Sequence, residues 1–552
     1  MEQALSAYSD EHILEYFNDV KTNGMTDQAF PRLTSNIGII IAHGMRQDLL
    51  PIFLEMMEFC CKTIPVVKAA NDFSVREIVS CLIETEKSGV ISKADSERWR
   101  GYLASIKPTE CYSKFATTTK DQVRNWALFT AVSEFFRQNA GLCDSSEFIE
   151  LQLKQQLQWF DEKGMYRDSL YDEERYQPIM YDLVPRGLFA LLLASGYRGE
   201  SYSAIDEMLK RSGLLTLDMQ SPNGEMAFGG RSNQFLHNEA WMIAVLEYEA
   251  SRYAREGNAT LAARFKAASA RALAVTEEWL KRKPIRHVKN RFPTETEYGC
   301  EYYAYFDKYM ITVASNLWAA YQICDETIPY EPCADHEPCV AETSHYFHKL
   351  FAKAGGYGLE FDLDADPLYD ASGLGRIHRE GAPSGICLSS PCPLTPKYKI
   401  DIEERYALSA CSATKRNGVW ELGAEPDCVY KVCGRGTTES EASAELCCRF
   451  KNGSETRESY IVNADGVSVR VCGDGEIGFA LPALCFDGER HTDISVSEHS
   501  LSIAYDGWIC RYSTDGEITD LGRIAANRNG HYKAFLAVGK QEIHVSVEIV
   551  KQ

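Results

Sequence analysis

Apolar positions follow a helical period over the first part of the chain. From residue 10 to about 354, apolar side chains recur three and four positions apart, as at Leu128, Val132 and Phe135. This spacing is typical of amphipathic helices joined by connections of ordinary length. The pattern predicts about a dozen helices, the main ones at roughly 35–64, 74–88, 93–106, 118–139, 145–160, 180–195, 202–214, 232–255, 258–283, 300–323 and 341–354.

Paired helices that continue over roughly 340 residues predict either a superhelical array or a closed double ring of helix hairpins. Nearly all-apolar helices would form the inner ring, and amphipathic helices the outer one. We find no short repeat that identifies a named helical repeat family.

The pattern changes at Gly355-Gly356-Tyr357-Gly358. From there to Gln552, short runs alternate between apolar and polar residues, and turn sequences such as Asp465-Gly466 separate them. This pattern predicts an antiparallel β-sandwich. The expected fold class is therefore α+β and multidomain. Residues 1–340 would form an (α/α) toroid, and 341–552 a linker helix and the antiparallel β-sandwich.

Composition and charge narrow the function. At 552 residues the chain exceeds what one core usually supports, which agrees with two domains. The formal net charge of −21 argues against a nucleic-acid partner, because phosphate backbones select basic surfaces. A long polyanion would be repelled at a distance, whereas a local cationic pocket can still hold one anionic group. Short or neutral ligands are favoured.

The amino terminus has neither the basic nor the apolar region of a signal peptide, and no apolar run is long enough to span a bilayer. The nineteen cysteines are scattered and often lie in apolar runs, which predicts reduced thiols and a cytoplasmic location. Cys333, His336 and Cys339 have the spacing of metal ligands but lack a second pair. We therefore predict no metal site and no cofactor.

Polar residues concentrate at 224–241, where a glycine turn precedes a long predicted helix. Ser232 or Asn233 would cap that helix. Asn233, His237 and Trp241 then fall at i, i+4 and i+8 and share one face. The pattern predicts one wall of a binding cleft. The alternative is a capped core helix with a single hydrogen-bonded histidine.

A second polar stretch, 295–309, holds five tyrosines within twelve residues. Tyr302, Tyr305 and Tyr309 would lie on one face of the predicted helix. Tyrosines on a cleft wall can stack on sugar rings, and a tyrosine hydroxyl can transfer a proton. The alternative is an outer helix with its tyrosines at a domain interface.

Two further stretches are candidates for the rim of a cleft. Tyr176 lies in the loop 161–179, which is rich in Tyr, Asp and Arg. Arg376 and His378 are flanked by glycines, and a loop from the sandwich could bring them across the ring to a carboxylate. A set of salt bridges between the domains is the alternative.

A helical ring followed by an antiparallel sandwich, with Asn, His, Tyr and Arg at its mouth, resembles the toroid-plus-sandwich polysaccharide lyases. These include heparinase II/III-like, alginate, hyaluronan and rhamnose–glucuronate lyases. In residue type, only 229–239 and 302–309 match. The resemblance implies metal-free β-elimination on uronate-containing oligosaccharides, in which a neutralised carboxylate makes the C5 proton acidic and a tyrosine or histidine removes it.

The resemblance also implies roles for residues of this chain. Arg231, Asn233, His237 and Asn238 would bind or neutralise the uronate, His237 and Asn238 as catalytic groups. Tyr302 or Tyr305 would transfer protons. The other substrate-binding residues would be Glu239, Trp241, Tyr176, Tyr309, Arg376 and His378.

Two other functions remain open from the sequence. A glycoside hydrolase on the same toroid, such as a uronosidase or a hydrolase of unsaturated uronides, would use one or two carboxylates. A non-catalytic glycan-binding or scaffold protein would use the concave face alone. We expect an oligosaccharide partner and neither nucleic acid nor membrane, and the oligomeric state is open. The carboxylates available for hydrolysis are Glu225, Glu239, Glu295, Glu301 and Asp182.

Overall fold

The computed structural model describes residues 1–69, 71–168, 175–331 and 336–552. Helices fill the first part of the described chain. They are α1 (Glu2–Leu5), α2 (Asp10–Asn23), α3 (Ala29–Ala42), α4 (Leu50–Thr63), α5 (Asn71–Ser88), α6 (Lys93–Ala104), α7 (Pro108–Cys111), α8 (Trp126–Asn139), α9 (Ser146–Leu157), α10 (Ile179–Ala194), α11 (Tyr202–Met219), α12 (His237–Arg255), α13 (Ala259–Lys281) and α14 (Phe306–Ile323).

Strands fill the second part, and they pair antiparallel. They are β1 (Cys339–Glu342), β2 (Lys349–Ala354), β3 (Tyr357–Asp362), β4 (Gly373–Arg379), β5 (Ser412–Arg416), β6 (Val419–Leu422), β7 (Val429–Thr437), β8 (Ala442–Arg449), β9 (Glu455–Asn463), β10 (Gly466–Phe486), β11 (Asp493–Val496), β12 (Ser500–Tyr505), β13 (Trp508–Thr514), β14 (Glu517–Ala526) and β15 (His531–Lys551). The predicted fold class is confirmed, and the domain division near residue 340 stays a prediction.

Six helices form a closed inner ring. Helices α3, α5, α8, α10, α12 and α14 contact one another in this order, and α14 returns to α3. Helices α2, α4, α6, α9, α11 and α13 pack outside them. Inner α10 is apolar around most of its circumference, whereas outer α11 buries only one stripe, including Ile205, Met208 and Leu209. This difference is the one expected between inner and outer helices.

The strands form two sheets that pack face to face. The smaller sheet has the order β1-β2-β3-β4, and the larger contains the remaining eleven strands. Along β8 and β9, buried and more exposed residues alternate, as in a sheet with one solvated face. Phe361 of the small sheet meets Tyr460 of the large one, with ring centroids 4.8 Å apart. One continuous apolar core therefore joins the sheets.

The small sheet lies between the large sheet and the helical ring. Every residue of β2 is buried. Leu350 and Ala352 belong to the core of the sandwich, whereas Phe351 belongs to that of the ring. The Lys353 ammonium donates to the carbonyl of Leu217 in α11, at 3.1 Å. The small sheet is thus covered on both faces, which couples the two halves of the chain.

The prediction of a helix at 341–354 is wrong, because this segment contains β1 and β2. A strand buried on both faces loses the alternation of apolar and polar residues. Phe347, Leu350, Phe351 and Ala354 then show a spacing that imitates a helix. The predicted helix at 35–64 is two helices, α3 and α4.

Three predicted helices begin later than expected, and the first of them, α8, starts at Trp126 rather than at 118. Helix α14 starts at Phe306, because residues 299–304 hydrogen-bond outside the ring: the Gly299 amide donates to the Lys399 carbonyl at 2.8 Å. Helix α12 starts at His237, because the preceding residues run alongside 287–289, where the Leu236 amide donates to the His287 carbonyl.

Cys433 and Cys447 form a disulfide between β7 and β8, so the expectation of reduced thiols is wrong for this pair. The remaining described cysteines are free. Among the described helices, none is both long and apolar enough to cross a membrane.

The inner ring is packed so closely that it requires a glycine. An added Cβ at Gly38 of α3 would overlap the Cys81 sulfur and the Phe53 ring. We expect Gly38→Ala to lower the unfolding temperature, because overpacking costs about 1–3 kcal/mol and outweighs the better helix propensity of alanine.

Gly101 in outer helix α6 is the matched control, because no atom lies within 4 Å of its added Cβ. Gly101→Ala should raise stability by about 0.5–1 kcal/mol. Thermal unfolding of both variants checks this, and equal shifts would contradict the packing assigned to the ring.

Candidate active site at the mouth of the helical ring

The amino-terminal ends of the six inner helices face one mouth of the ring. Residues from the first two turns of each helix line a cavity of about 370 Å³ there. A helix amino terminus carries partial positive charge and unpaired N–H groups, so it favours anions. Six such ends therefore converge on the same space.

A second cavity, of about 650 Å³, adjoins the first and shares Asn125, Trp126, Tyr181 and Tyr303 with it. We call the two cavities together the mouth cleft. Its lining is rich in cationic side chains. These are Arg32, Arg76, Lys114, Arg124, Arg231 and Lys308.

Positive charge in the mouth cleft is only partly neutralised. Arg32 and Arg76 share a single buried carboxylate, Glu77, whose oxygen lies 3.3 Å from the Arg32 Nε. Burial lowers the pKa of Lys308, and within the described chain no carboxylate lies within ion-pair distance of its ammonium. An anionic ligand would relieve this excess of charge.

Three tyrosine hydroxyls meet the hydroxyl of Ser232. Its Oγ lies 3.0 Å from the Tyr303 hydroxyl, 3.3 Å from that of Tyr181 and 3.4 Å from that of Tyr309. A serine hydroxyl donates one hydrogen bond and accepts two, so it can serve all three. Burial raises the pKa of each tyrosine, which keeps them protonated at neutral pH. We call these four residues the tyrosine hub.

The backbone at Ser232 is held in a rare conformation. Its φ is 56°, in the left-handed region that non-glycine residues seldom adopt. The Ser232 amide donates to Glu301 at 2.7 Å, and the Asn238 side chain donates to the Ser232 carbonyl at 3.1 Å. Glu301 is in turn paired with Arg528 of the sandwich, at 2.7 Å. Both domains therefore fix the centre of the hub.

The preceding glycine is also clamped from the sandwich side. The Gly230 amide, at φ 74°, donates to the buried carboxylate of Asp370 at 2.6 Å. A Cβ at this position would lie 2.8 Å from the Cβ of Pro178. Position 230 therefore needs glycine both for its backbone angle and for space.

His237 lies beside the hub at the start of α12. Its ring meets the Tyr309 ring edge-on, with centroids 4.9 Å apart. Burial lowers the pKa of His237 to about 3, and Arg32 and His287 add to the effect. The imidazole is therefore neutral at pH 7, and its Nδ1 has no hydrogen-bond partner among the described residues.

Five residues predicted from the sequence line the mouth cleft. Arg231 pairs with Asp168, and its guanidinium lies 4.2 Å from the centre of the Tyr181 ring. Tyr302 is 94% exposed and stands at the rim. The other three are His237, Trp241 and Tyr309.

Three predicted residues near Ser232 do not line the mouth cleft. Asn233 precedes α12, so it does not share a helical face with His237, and its amide donates to the Ala227 carbonyl at 3.2 Å. Asn238 supports the Ser232 carbonyl. Glu239 is buried toward the sandwich, where it accepts a hydrogen bond from Lys289 at 2.6 Å.

Tyr305 and Tyr176 also lie outside it. The prediction of Tyr305 on a helical face with Tyr302 is wrong, because both precede α14. The Tyr305 hydroxyl instead donates to Asp27. Tyr176 stacks under the Arg175 guanidinium and lines a different cavity.

Arg376 and His378 lie on strand β4 rather than in a loop, and neither reaches the mouth cleft. Arg376 pairs with Glu360 at 3.1 Å and donates to the Met226 carbonyl at 2.8 Å. The ion pair joins two strands of the small sheet, and the contact of Arg376 with the ring is the hydrogen bond to Met226, so this salt bridge does not join the domains. His378 is fully buried, and burial lowers its pKa to about 3.

Sequence patterns missed the centre of the site. An uninterrupted helix would place Tyr303 off the face that Tyr302 and Tyr309 share, so the pattern does not select it. Arg32 and Arg76 carried a usable signal, because an arginine inside an apolar helix requires a buried partner or a ligand.

Within the described chain, no cluster of three or more His, Cys, Asp or Glu side chains could hold a metal ion. Cys333 of the candidate triplet lies outside the described residues. His336 bonds to Glu380 at 2.6 Å.

No family model and no curated protein matches this sequence. Solved structures resemble its architecture. A mutant heparan sulfate lyase HepC from Pedobacter heparinus matches at 9% identity and a TM-score of 0.48, over 93% of this chain and 75% of that one. A heparinase III gene product matches at 10% identity and a TM-score of 0.49, over 95% of this chain and 78% of that one. A chondroitin lyase, the baculovirus envelope protein ODV-E66, matches at 9% identity and a TM-score of 0.22, over 76% of each chain.

Asp370 makes stability depend on pH. Burial raises the pKa of Asp370 from its ordinary value of 3.8 to about 7, although Lys349 opposes this. The folded state thus prefers the neutral acid. The neutral Asp370 side chain therefore stabilises the folded state fully below pH 3.8, and this contribution is lost as pH rises through 7. The difference between these values corresponds to at most about 4 kcal/mol.

We therefore expect Asp370→Asn, which keeps an acceptor for Gly230, to be less sensitive to pH. Denaturant unfolding across pH 4 to 7 should show the variant gaining stability relative to the parent protein as pH rises. A constant difference between them would show that Asp370 does not titrate in this range.

Proposed function

We propose that the mouth cleft binds an acidic sugar unit of an oligosaccharide and cleaves the glycosidic bond by β-elimination. The observation that carries the proposal is the tyrosine hub beside the neutral His237, in a cleft with unneutralised cations. β-Elimination needs a neutralised carboxylate, a proton acceptor and a proton donor. The mouth cleft supplies candidates for all three.

The carboxylate of the substrate would lie against Arg32, Arg76 and Lys308, below the six helix ends. Neutralising this carboxylate lowers the pKa of the adjacent C5 proton, because the negative charge that forms at C5 spreads into the carboxylate. The substrate carboxylate also raises the proton affinity of the neighbouring His237 imidazole, because a nearby negative charge favours the protonated ring.

His237 would accept the C5 proton as a neutral base, and the protonated Tyr303 would give its proton to the departing oxygen. The C5–H and C4–O bonds break, and a C4–C5 double bond forms. After the product leaves, His237 gives its proton to water and Tyr303 takes one from water, while Ser232 holds the Tyr303 hydroxyl in position. The proposal assigns the donor to Tyr303 because Tyr302 is exposed and Tyr305 is bound to Asp27.

Hydrolysis would require one or two available carboxylates at the cleft. Among its described lining residues, Asp27 and Asp168 are the two carboxylates, and both are engaged. Asp27 accepts from Tyr305, and Asp168 binds Arg231 and the Asn125 amide. Of the other candidates, four are paired with cations inside the protein: Glu225, Glu239, Glu301 and Asp182. This favours elimination over hydrolysis.

The reaction product distinguishes the candidate functions. With uronate-containing oligosaccharides, we expect each new reducing end to appear together with the ultraviolet absorbance of a double bond conjugated to a carboxylate. A neutral oligosaccharide of equal length is the control and should not react. Reducing ends without this absorbance would establish hydrolysis. Glycan binding without any turnover would leave the scaffold function.

Tyr303, which the sequence pattern does not select, and Tyr305, which it does, should behave differently. Tyr303→Phe should lower kcat by roughly 10²–10⁴-fold with little change in KM, because the phenol donates its proton in the transition state. Tyr305→Phe should lose less than about tenfold, because that hydroxyl bonds Asp27 outside the reaction path. Similar losses in both variants, at unchanged unfolding temperature, would refute Tyr303 as the donor.

A further inference from the structure

A separate cavity of about 450 Å³ lies where the outer helix α13 meets the sandwich. We call it the junction cavity. Trp279 comes from α13, Tyr505 and Trp508 come from the turn between β12 and β13, and Asn223 comes from the turn after α11. None of its described lining residues is shared with the mouth cleft. Its volume is in the ordinary range for small-molecule sites.

Three aromatic rings line the junction cavity. Trp279, Tyr505 and Trp508 are all partly exposed to the cavity rather than sealed in the core. The Arg282 guanidinium lies 4.0 Å from the centre of the Trp279 ring. Aromatic side chains that keep an exposed face can stack on flat apolar surfaces of a ligand. The C–H faces of a pyranose ring are such surfaces.

Two polar atoms on its wall lack partners. The Ser389 hydroxyl is buried, with the residue 2% exposed, and has no hydrogen bond among the described residues. The Asn529 Oδ1 is also buried and unpaired, although its amide nitrogen donates to the Lys289 carbonyl at 2.6 Å. Buried polar atoms are normally paired, so these two atoms of lining residues leave hydrogen-bonding capacity for a polar ligand. A sugar hydroxyl can donate to Asn529 and exchange a hydrogen bond with Ser389.

The charges at this cavity are balanced. Four cationic and five anionic side chains line it. Lys289 lies between Glu225 at 3.2 Å and Glu239 at 2.6 Å. Arg291 pairs with Asp487 at 3.2 Å and with Asp506 at 3.1 Å. The junction cavity therefore lacks the positive excess of the mouth cleft, and its lining favours an uncharged ligand.

We infer that the junction cavity is a second carbohydrate site, which takes a neutral pyranose through Trp279, Trp508, Ser389 and Asn529. This inference stands independently of the reaction in the mouth cleft, because binding here needs no catalysis. A site for neutral sugar beside a site for acidic sugar would suit a substrate that contains both kinds of unit.

Calorimetric titration of the full-length protein with cellobiose and maltose tests the inference, with free glucuronate as the charged comparison. We expect saturable binding of at least one neutral disaccharide. Trp279→Ala and Trp508→Ala should each weaken it by about tenfold or more. Tyr303→Phe in the mouth cleft should leave it unchanged. Absence of saturable binding by both disaccharides would overturn the inference.

Ser389→Ala provides a test that loss of folding cannot imitate. Its hydroxyl has no hydrogen-bond partner among the described residues, so removing it should not lower the unfolding temperature. The substitution should weaken neutral-sugar binding about three- to tenfold, because the free energy of about one hydrogen bond is lost. Unchanged affinity in Ser389→Ala and Trp508→Ala together would place the sugar elsewhere. Preference of the cavity for glucuronate over both neutral sugars would also contradict the assignment.

Discussion

The geometry of the candidate site depends on the contacts of the Glu301 carboxylate. One oxygen accepts from the Ser232 amide at 2.7 Å, and the pair with Arg528 anchors the same carboxylate to the sandwich at 2.7 Å. Both charged side chains are almost fully buried. Removing one partner of such a pair typically costs about 3–5 kcal/mol, because the other charge stays buried alone. The tyrosine hub in the ring is therefore shaped by a residue of the other domain.

Buried charge recurs across the whole face between ring and sandwich. Lys349 lies 2.9 Å from Asp362, its ammonium is 3.3 Å from the centre of the Phe228 ring, and Arg376 pairs with Glu360. These ion pairs join strands of the small sheet, and the same two cations also contact the ring: Lys349 at the Phe228 ring and Arg376 at the Met226 carbonyl, which accepts at 2.8 Å. Met226 and Phe228 lie just before Gly230 and Ser232, so these contacts also position the loop.

The ring and the sandwich could be predicted from the sequence. A helix or strand with one buried face keeps the helical or alternating spacing of its apolar residues. Prediction from the sequence failed at β2, where both faces are buried, and at residues 299–304, whose partners include Lys399, far along the chain. Arg231, His237 and Tyr309 could be selected from local residue type. Tyr303 could not, because only the backbone path set by contacts with the sandwich turns its hydroxyl toward Ser232.

The arrangement of the inner helices resolves an apparent conflict between overall and local charge. The chain carries a net charge of −21, yet the mouth cleft collects positive charge. At physiological ionic strength, surface charges are screened beyond about 8 Å, so the acidic exterior acts weakly on a ligand already inside the mouth. Helix ends and partly buried arginines act there at short range and low dielectric, where they are screened least. A parallel inner ring therefore gives an acidic protein a local environment suited to one anionic group, while a long polyanion would still meet repulsion along the outer surface.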